Sequence, residues 1–393
     1  MPRNSKKILL LTVKLLIAAA LMAWLLLSAH WEDFVRTKDG KTSYSVLDAS
    51  EAPGRFVVRS GSLWWSETLE VSADQLMPVA QDGSDEQYLR PGFLRSISRI
   101  NLWLLGAAMG ISLFGMIVAA SRWWMLLGVQ GISVPWWEAV RLTFLGQFYS
   151  LVVPGTVGGD VVKAYYVTKH THDAKAGAIL SVFIDRVYGL SSLTLVAAVA
   201  LAAALISGAG QWTDPMFRSA ATVIASVVGV VLIVMTLILS RTLRRVLHLQ
   251  KLYSRLPFAK TIASFGQAAQ VYRHRWKSLV RVGLIMFLAP GIWVSALALV
   301  GRSLDLPISW YSYFLYIPLV YIIGAVPLTP GGAGLIESLY LIFFAGLANS
   351  SEVLAFALLA RLIPIVWGIP GMFVVITGPK LPQIQEMQHE LGM

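Results

Sequence analysis

The sequence predicts an all-α polytopic membrane protein, and three observations support this prediction. Of the 393 residues, 56% are hydrophobic and only 13% are charged, whereas soluble domains carry roughly 25% charged residues. The mean hydropathy is +0.66. Apolar runs of about 20 residues, the length that crosses a hydrocarbon core of about 30 Å, lie at 8–28, 99–121, 176–207, 218–240, 278–300 and 352–378.

The distribution of charge predicts which side of the membrane the loops occupy. The net charge is +11, and many of the basic residues lie in the loop 241–277, which contains no acidic residue. Basic loops between apolar spans remain in the cytoplasm, so we interpret this loop as cytoplasmic and not as a nucleic-acid site. The chain has no cysteine, which excludes disulfides, thiolate nucleophiles and cysteine-ligated metals.

The first 98 residues predict an anchor followed by a small domain. The first apolar run follows Arg3, Lys6 and Lys7 and has no clear cleavage site, so 1–29 is predicted as an uncleaved anchor with a cytoplasmic N-terminus and not as a signal peptide. Its Lys14 can reach the cytoplasmic face by snorkelling. Residues 30–98 are polar and rich in turns, with β-prone stretches between them, which predicts a partly β extracytoplasmic domain.

The stretch VPGTVGGD at 153–160 interrupts an apolar segment. Counting crossings between the cytoplasmic end of the span 99–121 and the basic loop leaves 139–175 beginning and ending on the same side. Its apolar arm of about 15 residues is too short to cross comfortably. We therefore predict a re-entrant hairpin, although a kink in a packed helix is the alternative, with a tip that contains Pro154, Gly155, Gly158 and Gly159.

The second half repeats this pattern. VPLTPGG at 326–332 matches VPGTVGG as V-P-x-T-x-G-G, and each motif is followed by an arginine, Arg186 at 32 residues after the first proline and Arg361 at 34. The shared pattern and shared downstream residue indicate an internal duplication. Repeat 1 covers about 99–207 and repeat 2 about 278–378, and the second tip contains Pro327, Pro330, Gly331 and Gly332.

The two hairpins are predicted to enter from opposite faces of the membrane. No Lys or Arg lies between Ser303 and Ala360, as expected of an external or embedded segment. Basic residues flank the first hairpin instead. Opposite entry is the property of an inverted-topology repeat, which many transporters use to present one central site to either side. The last residues, 379–393, form a short cytoplasmic tail in this topology.

Charged residues in and after the first hairpin are candidate binding residues. A charge inside the membrane costs at least about 2.5 kcal/mol, so we expect such a residue to have a function or a partner. Asp160 and Lys163 share a helix face and either neutralise each other or present both charges to a headgroup. Asp185 and Arg186 point to different faces. Arg186 suits a lipid phosphate through its bidentate fork, and Asp185 suits Lys163 or a headgroup amine.

The second half carries Glu337 and Arg361 in corresponding places. They either bind substrate or form an ion pair with each other. No P-loop or GxSxG motif appears, so ATP-driven pumping and serine hydrolysis have no basis in the sequence, and we expect no cofactor, no catalytic residue and no metal site. His170 and His172 in KHTHD are interpreted as a solvated turn.

Three stretches in this order, FYSLVVPGTVGGDVVKAYYV, SVFIDRVYGL and VPLTPGGAGLIE, resemble the flippase-like family named for the transmembrane region of lysylphosphatidylglycerol synthase. The resemblance covers about 99–378. It implies a bacterial inner-membrane protein that moves or binds a lipid with a charged headgroup. This sequence has Ser150 and Lys163 where the family often has asparagine and arginine, and no aminoacyl-transferase domain is expected after the last span.

Together these features predict a lipid translocase without ATP chemistry. The predicted partner is a membrane lipid with a charged headgroup, a separate lipid-modifying enzyme is a possible second partner, and no nucleic acid is expected. Two alternatives stay open at this point. One is a membrane-embedded transferase acting on a lipid-linked phosphate or sugar, with Asp160, Asp185 or Glu337 as base. The other is an accessory subunit that positions a separate lipid synthase; a homo-oligomer is compatible with each.

Overall fold

The computed structural model is mostly helical, with one small sheet near the N-terminus. It describes residues 3–39, 42–49, 55–62, 65–78, 88–152, 158–169, 175–208, 210, 212–239, 282–283, 288–326 and 328–377. The helices in these ranges are α1 (Arg3–Ser28), α2 (Phe93–Ser98), α3 (Leu102–Val129), α4 (Trp136–Val152), α5 (Gly158–Lys169), α6 (Lys175–Ile206), α7 (Pro215–Leu239), α8 (Leu288–Ser303), α9 (Trp310–Gly324), α10 (Leu335–Phe343) and α11 (Ser350–Thr377).

The predicted partly β segment is a four-stranded antiparallel sheet. Its strands, in spatial and sequence order, are β1 (Phe34–Arg36), β2 (Ser43–Ala49), β3 (Arg55–Ser62) and β4 (Trp65–Ser72). Alternation along the strands places apolar side chains on one face, because successive residues point to opposite sides of a sheet. That face forms a separate small core of Val35, Phe56, Val58, Val71 and Leu76.

Hydrogen bonds fasten the sheet domain to the N-terminal end of α11. The Ser351 hydroxyl donates to the His30 carbonyl oxygen at 3.1 Å. The Asn349 side-chain amide donates to the Pro91 carbonyl oxygen at 3.2 Å. The sheet domain, the end of α1 and the beginning of α11 therefore lie at the same end of the helical bundle.

Three helices of the described residues are long and apolar enough to cross a membrane, namely Leu102–Val129, Ala176–Ile206 and Ser350–Ile376. They correspond to the predicted spans 99–121, 176–207 and 352–378. The predicted spans 8–28, 218–240 and 278–300 overlap the shorter apolar helices Thr12–Leu27, Pro215–Val230 and Leu288–Ser303, and Trp310–Gly324 is a fourth helix of this kind. The predicted basic loop 241–277 lies outside the described residues.

The helices pack in three principal pairs, α3 on α8, α4 on α11 and α6 on α9. Small residues bring α4 and α11 close together, because a Cβ at Gly371 would clash with the Phe144 carbonyl oxygen and a Cβ at Gly368 would lie 2.7 Å from Leu151 Cδ1. Glycine allows such close approach between membrane helices. In the same interface the Gln147 amide donates to the Pro364 carbonyl oxygen at 3.3 Å.

Apolar side chains of α6, α8, α9, α10 and α11 form the largest core. Its centre is aromatic: Phe344 lies with its ring centroid 5.7 Å from Tyr313 and from Phe356, and 6.0 Å from Tyr340. A second core joins α3, α4, α5 and α6. The largest core therefore draws on both halves of the helical bundle, and the second core lies in the first half.

Contacts between helix ends establish which ends lie together. The backbone N–H of Asn101, before α3, donates to the Ser303 carbonyl oxygen at the end of α8 at 2.8 Å. At the opposite end of α3, a Cβ at Gly177 in the first turn of α6 would lie 2.9 Å from Gln130 Oε1. The first residues of α3 and the last of α8 thus share one end of the bundle, and the last of α3 and the first of α6 share the other.

Candidate functional site

A cluster of charged side chains joins α3, α5 and α6, and we call it the first cluster. Arg186 on α6 forms an ion pair with Asp160 in the first turn of α5. The adjacent Asp185 accepts a hydrogen bond from Arg122 Nε on α3 at 2.7 Å. Asp185 and Arg186 therefore diverge, as predicted for neighbours on a helix, and each binds a different helix.

Lys163 is the third basic residue of the first cluster. Its ammonium lies 5.2 Å from the ring centroid of Trp123, a geometry in which the ring face attracts the cation. It is also within electrostatic range of Asp160 and Asp185. Among the residues that the structure describes, no carboxylate comes within ion-pair distance of it. Asp160 instead forms its direct ion pair with Arg186, and Lys163 is not its direct partner in this structure.

The first cluster rests on a close backbone contact between α4 and α5. A Cβ at Gly159 would clash with the Gly146 carbonyl oxygen and the Ser150 hydroxyl, and a Cβ at Gly146 would lie 2.8 Å from Lys163 Cε. Two facing glycines therefore let the N-terminal turn of α5 approach α4. This approach positions Asp160 and Lys163 one turn apart beside α6.

A second cluster joins α10 and α11. Arg361 on α11 forms an ion pair with Glu337 in the first turn of α10. Its other nitrogens donate to the carbonyl oxygens of Gly331 at 3.3 Å and Gly332 at 3.0 Å. The second Glu337 oxygen accepts from the Gly334 N–H at 2.8 Å. The ion pair that the sequence left as an alternative to substrate binding is present.

The backbone before α10 requires glycine. Pro330–Gly332 forms a single 3₁₀ turn, and Gly332 and Gly334 have φ values of +72° and +77°, which side chains with a Cβ rarely adopt. The turn exposes the Gly331 and Gly332 carbonyl groups that Arg361 binds. The glycines at the end of VPLTPGG thus form a turn whose carbonyl oxygens accept hydrogen bonds from Arg361.

The turn before α10 also contacts the end of α4. A Cβ at Gly331 would lie 3.4 Å from the Ser150 carbonyl oxygen and 3.9 Å from Leu151 Cα. Ser150 and Leu151 lie in the last turn of α4, which ends at Val152. The last turn of α4 and the turn before α10 therefore meet.

The two clusters differ in accessibility. The Arg186 side chain is 49% exposed, whereas Arg361 is 16% exposed and Glu337 is 0% exposed. The first cluster has three basic and two acidic side chains, and the second has one of each. The first cluster is therefore open and carries one excess positive charge, and the second is closed and balanced.

Not every predicted residue falls within these clusters. Pro154, Gly155 and Pro327 lie outside the described residues, as do His170 and His172. Gly158 begins α5 and Pro330 begins the 3₁₀ turn, so both lie where the predicted tips are. The sequence analysis missed Arg122, which directly follows the predicted span 99–121. Its signal is an arginine within an apolar helix that continues to Val129.

These features define a multi-pass helical membrane protein whose interior contains two charged clusters. A family model described as lysylphosphatidylglycerol synthase TM region matches residues 92–371. The chain belongs to this family, which confirms the resemblance in the sequence and indicates a function related to membrane lipids. A search of curated proteins found no match.

Proposed function

We propose that this protein is a lipid translocase of the bacterial inner membrane. It binds the phosphate of a phospholipid or lipid-linked headgroup at the charged clusters while the acyl chains stay in the bilayer. The observation that carries this proposal is the open first cluster, because its excess positive charge and half-exposed Arg186 suit an anionic headgroup. Membership of a lipid-related membrane family supports the same conclusion.

The helix packing supports an inverted repeat. If α3 to α6 correspond in order to α8 to α11, the α4–α11 contact becomes the counterpart of the α6–α9 contact, and α3–α8 becomes its own counterpart. The ion pairs follow the same rule, since Asp160–Arg186 joins α5 to α6 and Glu337–Arg361 joins α10 to α11. A two-fold axis between the halves would produce this pattern.

The positions of the helix ends support two re-entrant hairpins. In our proposal α4 and α5 enter from the cytoplasmic side, and α9 and α10 enter from the outer side, where the sheet domain contacts α11. The repeats are 99–207 and 278–378, with an anchor at 1–29, an extracytoplasmic domain at 30–98, and a cytoplasmic loop at 241–277 and tail at 379–393.

Cysteine labelling tests this topology. Because the chain contains no cysteine, no native residue has to be replaced before single cysteines are introduced. Single cysteines at Pro135 and His172 should react with a membrane-impermeant maleimide from the cytoplasmic side only. Labelling of the two positions from opposite sides would contradict the first hairpin. Cysteines at Ser309 and Asn349 provide the corresponding test from the outer side for the second hairpin.

The two clusters suggest an order of binding. Arg186 and Lys163 bind the phosphate first, and Asp160 and Asp185 hold Arg186 and Arg122 in place and offer carboxylates to a headgroup amine. The second cluster is closed here because Glu337 and the loop carbonyl groups occupy Arg361. In the opposite state of an inverted repeat, Arg361 would be the open arginine. The phosphate then passes between the hairpin tips from one arginine to the other.

Reconstitution tests the function directly. Purified protein in liposomes is given fluorescent phosphatidylglycerol, phosphatidylethanolamine or a polyprenyl phosphate, and dithionite quenches the label in the outer leaflet. We expect the quenched fraction to rise beyond that of protein-free liposomes for at least one lipid. Protein denatured before reconstitution is the control for leakage.

The same liposomes test the alternatives. If no lipid of the panel moves but chromatography detects a chemically changed lipid, the protein is a transferase. If neither occurs, yet a separate lipid-modifying enzyme copurifies and is more active with the protein, the protein is an accessory subunit. Both outcomes contradict translocation.

A further inference from the structure

Helix α1 lies outside the part of the chain that the family model matches, yet it contacts the second hairpin. It packs against α10 and against the 3₁₀ turn Pro330–Gly332. A Cβ at Gly334 would lie 3.2 Å from the Ala18 carbonyl oxygen and 3.4 Å from the Met22 backbone nitrogen. The middle of α1 is therefore in direct contact with the residues that lead into the second cluster.

Lys14 lies on this contacting face of α1. Residues four apart share a helix face, so Lys14 projects from the same side as Ala18, which is buried. Lys14 is partly buried, whereas the flanking Val13, Leu15 and Leu16 are exposed. Its side chain is therefore directed at the protein and not at the surrounding lipid.

The position of Lys14 along α1 places its backbone inside the predicted span 8–28. Lys14 precedes the end of α1 at Ser28 by 14 residues, about 21 Å along a helix axis, within a hydrocarbon core of about 30 Å. From the Ala18 contact to Lys14 is one further turn, about 6 Å. Helix α1 contacts both Gly334 and the 3₁₀ turn that precedes it, so Lys14 lies one helical turn from this contact.

Comparison of the clusters indicates what this lysine does. In the first cluster Lys163 follows Asp160 by three residues and supplies the excess positive charge. At the corresponding place after Glu337 the second hairpin has Tyr340, so Glu337 and Arg361 leave no excess charge. Within the described residues Lys14 forms no ion pair. An intramembrane lysine without a partner indicates a functional site.

We propose that Lys14 is a lipid-phosphate-binding residue, supplied to the second half-site by α1 and equivalent to Lys163 in the first. This inference rests on the proposed function. It gives α1 a role in binding, because the anchor completes a half-site that the repeat itself leaves neutral. The ligand is a phosphate on a membrane lipid, which is the phosphate that the proposed function brings to this half-site.

A charge relocation tests the proposal. The double variant Lys14→Leu/Leu16→Lys keeps the composition and nearly the depth of the charge but turns it about 200° around the helix, to a position that is exposed. We expect phosphatidylglycerol movement in liposomes to fall at least tenfold, and Lys14→Arg to retain it. Lys14→Met, which keeps the length of the side chain but removes its charge, should lose phosphatidylglycerol movement to the same extent. It tests Lys14 without placing a lysine at position 16, and so serves if the relocated charge impairs folding.

The outcomes separate this inference from the proposed function. Movement by the wild type with an equal rate in the double variant and in Lys14→Met would overturn the role of Lys14 alone. No movement by the wild type would overturn both proposals. Inorganic phosphate at millimolar concentration should not reduce phosphatidylglycerol movement by the wild type, and inhibition that Lys14→Met removes would assign the site to free phosphate instead of a lipid.

Discussion

The two charged clusters contain the same kind of ion pair but differ in how far it is buried. In each, an acidic residue in the first turn of a helix binds an arginine on the next long helix, as Asp160 binds Arg186 and Glu337 binds Arg361. The first pair is open and accompanied by Lys163. The second is enclosed, and its arginine also binds the carbonyl groups of the turn.

The same pair of residues can therefore serve ligand binding or structural closure, according to how far its surroundings bury it. An exposed ion pair contributes about 0–1 kcal/mol to stability, so its arginine can exchange a carboxylate for a phosphate at little cost. Breaking a buried pair costs about 3–5 kcal/mol, because it leaves a charge without a partner. The open pair is therefore suited to a ligand and the enclosed pair to holding a structure.

Loss of Glu337 should have the largest effect on stability. Glu337→Ala leaves Arg361 buried without its counter-charge and frees the Gly334 N–H, so we expect a loss of about 3–5 kcal/mol. Thermal unfolding of the purified protein in detergent measures it. The double variant Glu337→Ala/Arg361→Met removes both charges and should recover part of the loss. An unchanged unfolding temperature in Glu337→Ala would show that the second pair is not structural.

Gly159→Ala should have the next largest effect. The new Cβ would meet the backbone of Gly146 and the Ser150 hydroxyl, which cannot move without separating α4 from α5, so we expect a loss of about 1–3 kcal/mol. Gly110→Ala on α3 is the matched control, because no atom lies within 4 Å of its Cβ. Equal stability of the two variants would contradict the close contact beneath the first cluster.

Arg186→Gln should separate function from stability. Because Arg186 is half exposed, we expect a smaller loss of stability than in Glu337→Ala but at least a tenfold loss of lipid movement, since the amide cannot bind phosphate as a charged fork does. Arg141→Gln is the control, because Arg141 forms an exposed pair with Glu138 within α4. Unimpaired movement by a folded Arg186→Gln protein would assign Arg186 to structure.

Much of this arrangement could be predicted from the sequence, because charge and glycine have few roles inside a membrane. A charged residue in an apolar segment is costly, which singled out Asp160, Arg186, Glu337 and Arg361. The strands were equally predictable, since RFVV and SLWWSETLEV alternate between turns and form β3 and β4. Composition and periodicity act locally and can be recognised without coordinates.

The partners of these charges could not be predicted, because they depend on how distant helices pack. Spacing favoured Asp160 with Lys163, whereas α6 brings Arg186 to Asp160 and α3 brings Arg122 to Asp185. The contact of α1 with Gly334 was equally hidden, since an anchor sequence specifies only that the helix is apolar. The sequence identifies the charged residues, and tertiary packing determines the pairs.

The smallest expected effect is a pH dependence of stability, which we expect to act on α11 in the second repeat. Burial, and then the positive charge of Arg36, lower the pKa of His30 from its ordinary value of 6.5. The folded protein therefore favours the neutral imidazole, which stacks on Phe34 with ring centroids 4.2 Å apart. As the pH falls through 6.5 the unfolded chain gains a proton before the folded one, so stability decreases until the pH passes below the folded-state pKa. The His30 carbonyl oxygen accepts a hydrogen bond from Ser351 at the start of α11. Acid should therefore destabilise the packing of α11, the helix that carries Arg361, and leave the first cluster unaffected. Unfolding temperatures between pH 7.5 and 5 should fall in the wild type, and this fall should be smaller in His30→Gln, which keeps the backbone contact but cannot titrate. The same pH dependence in both proteins would assign the acid sensitivity to another group.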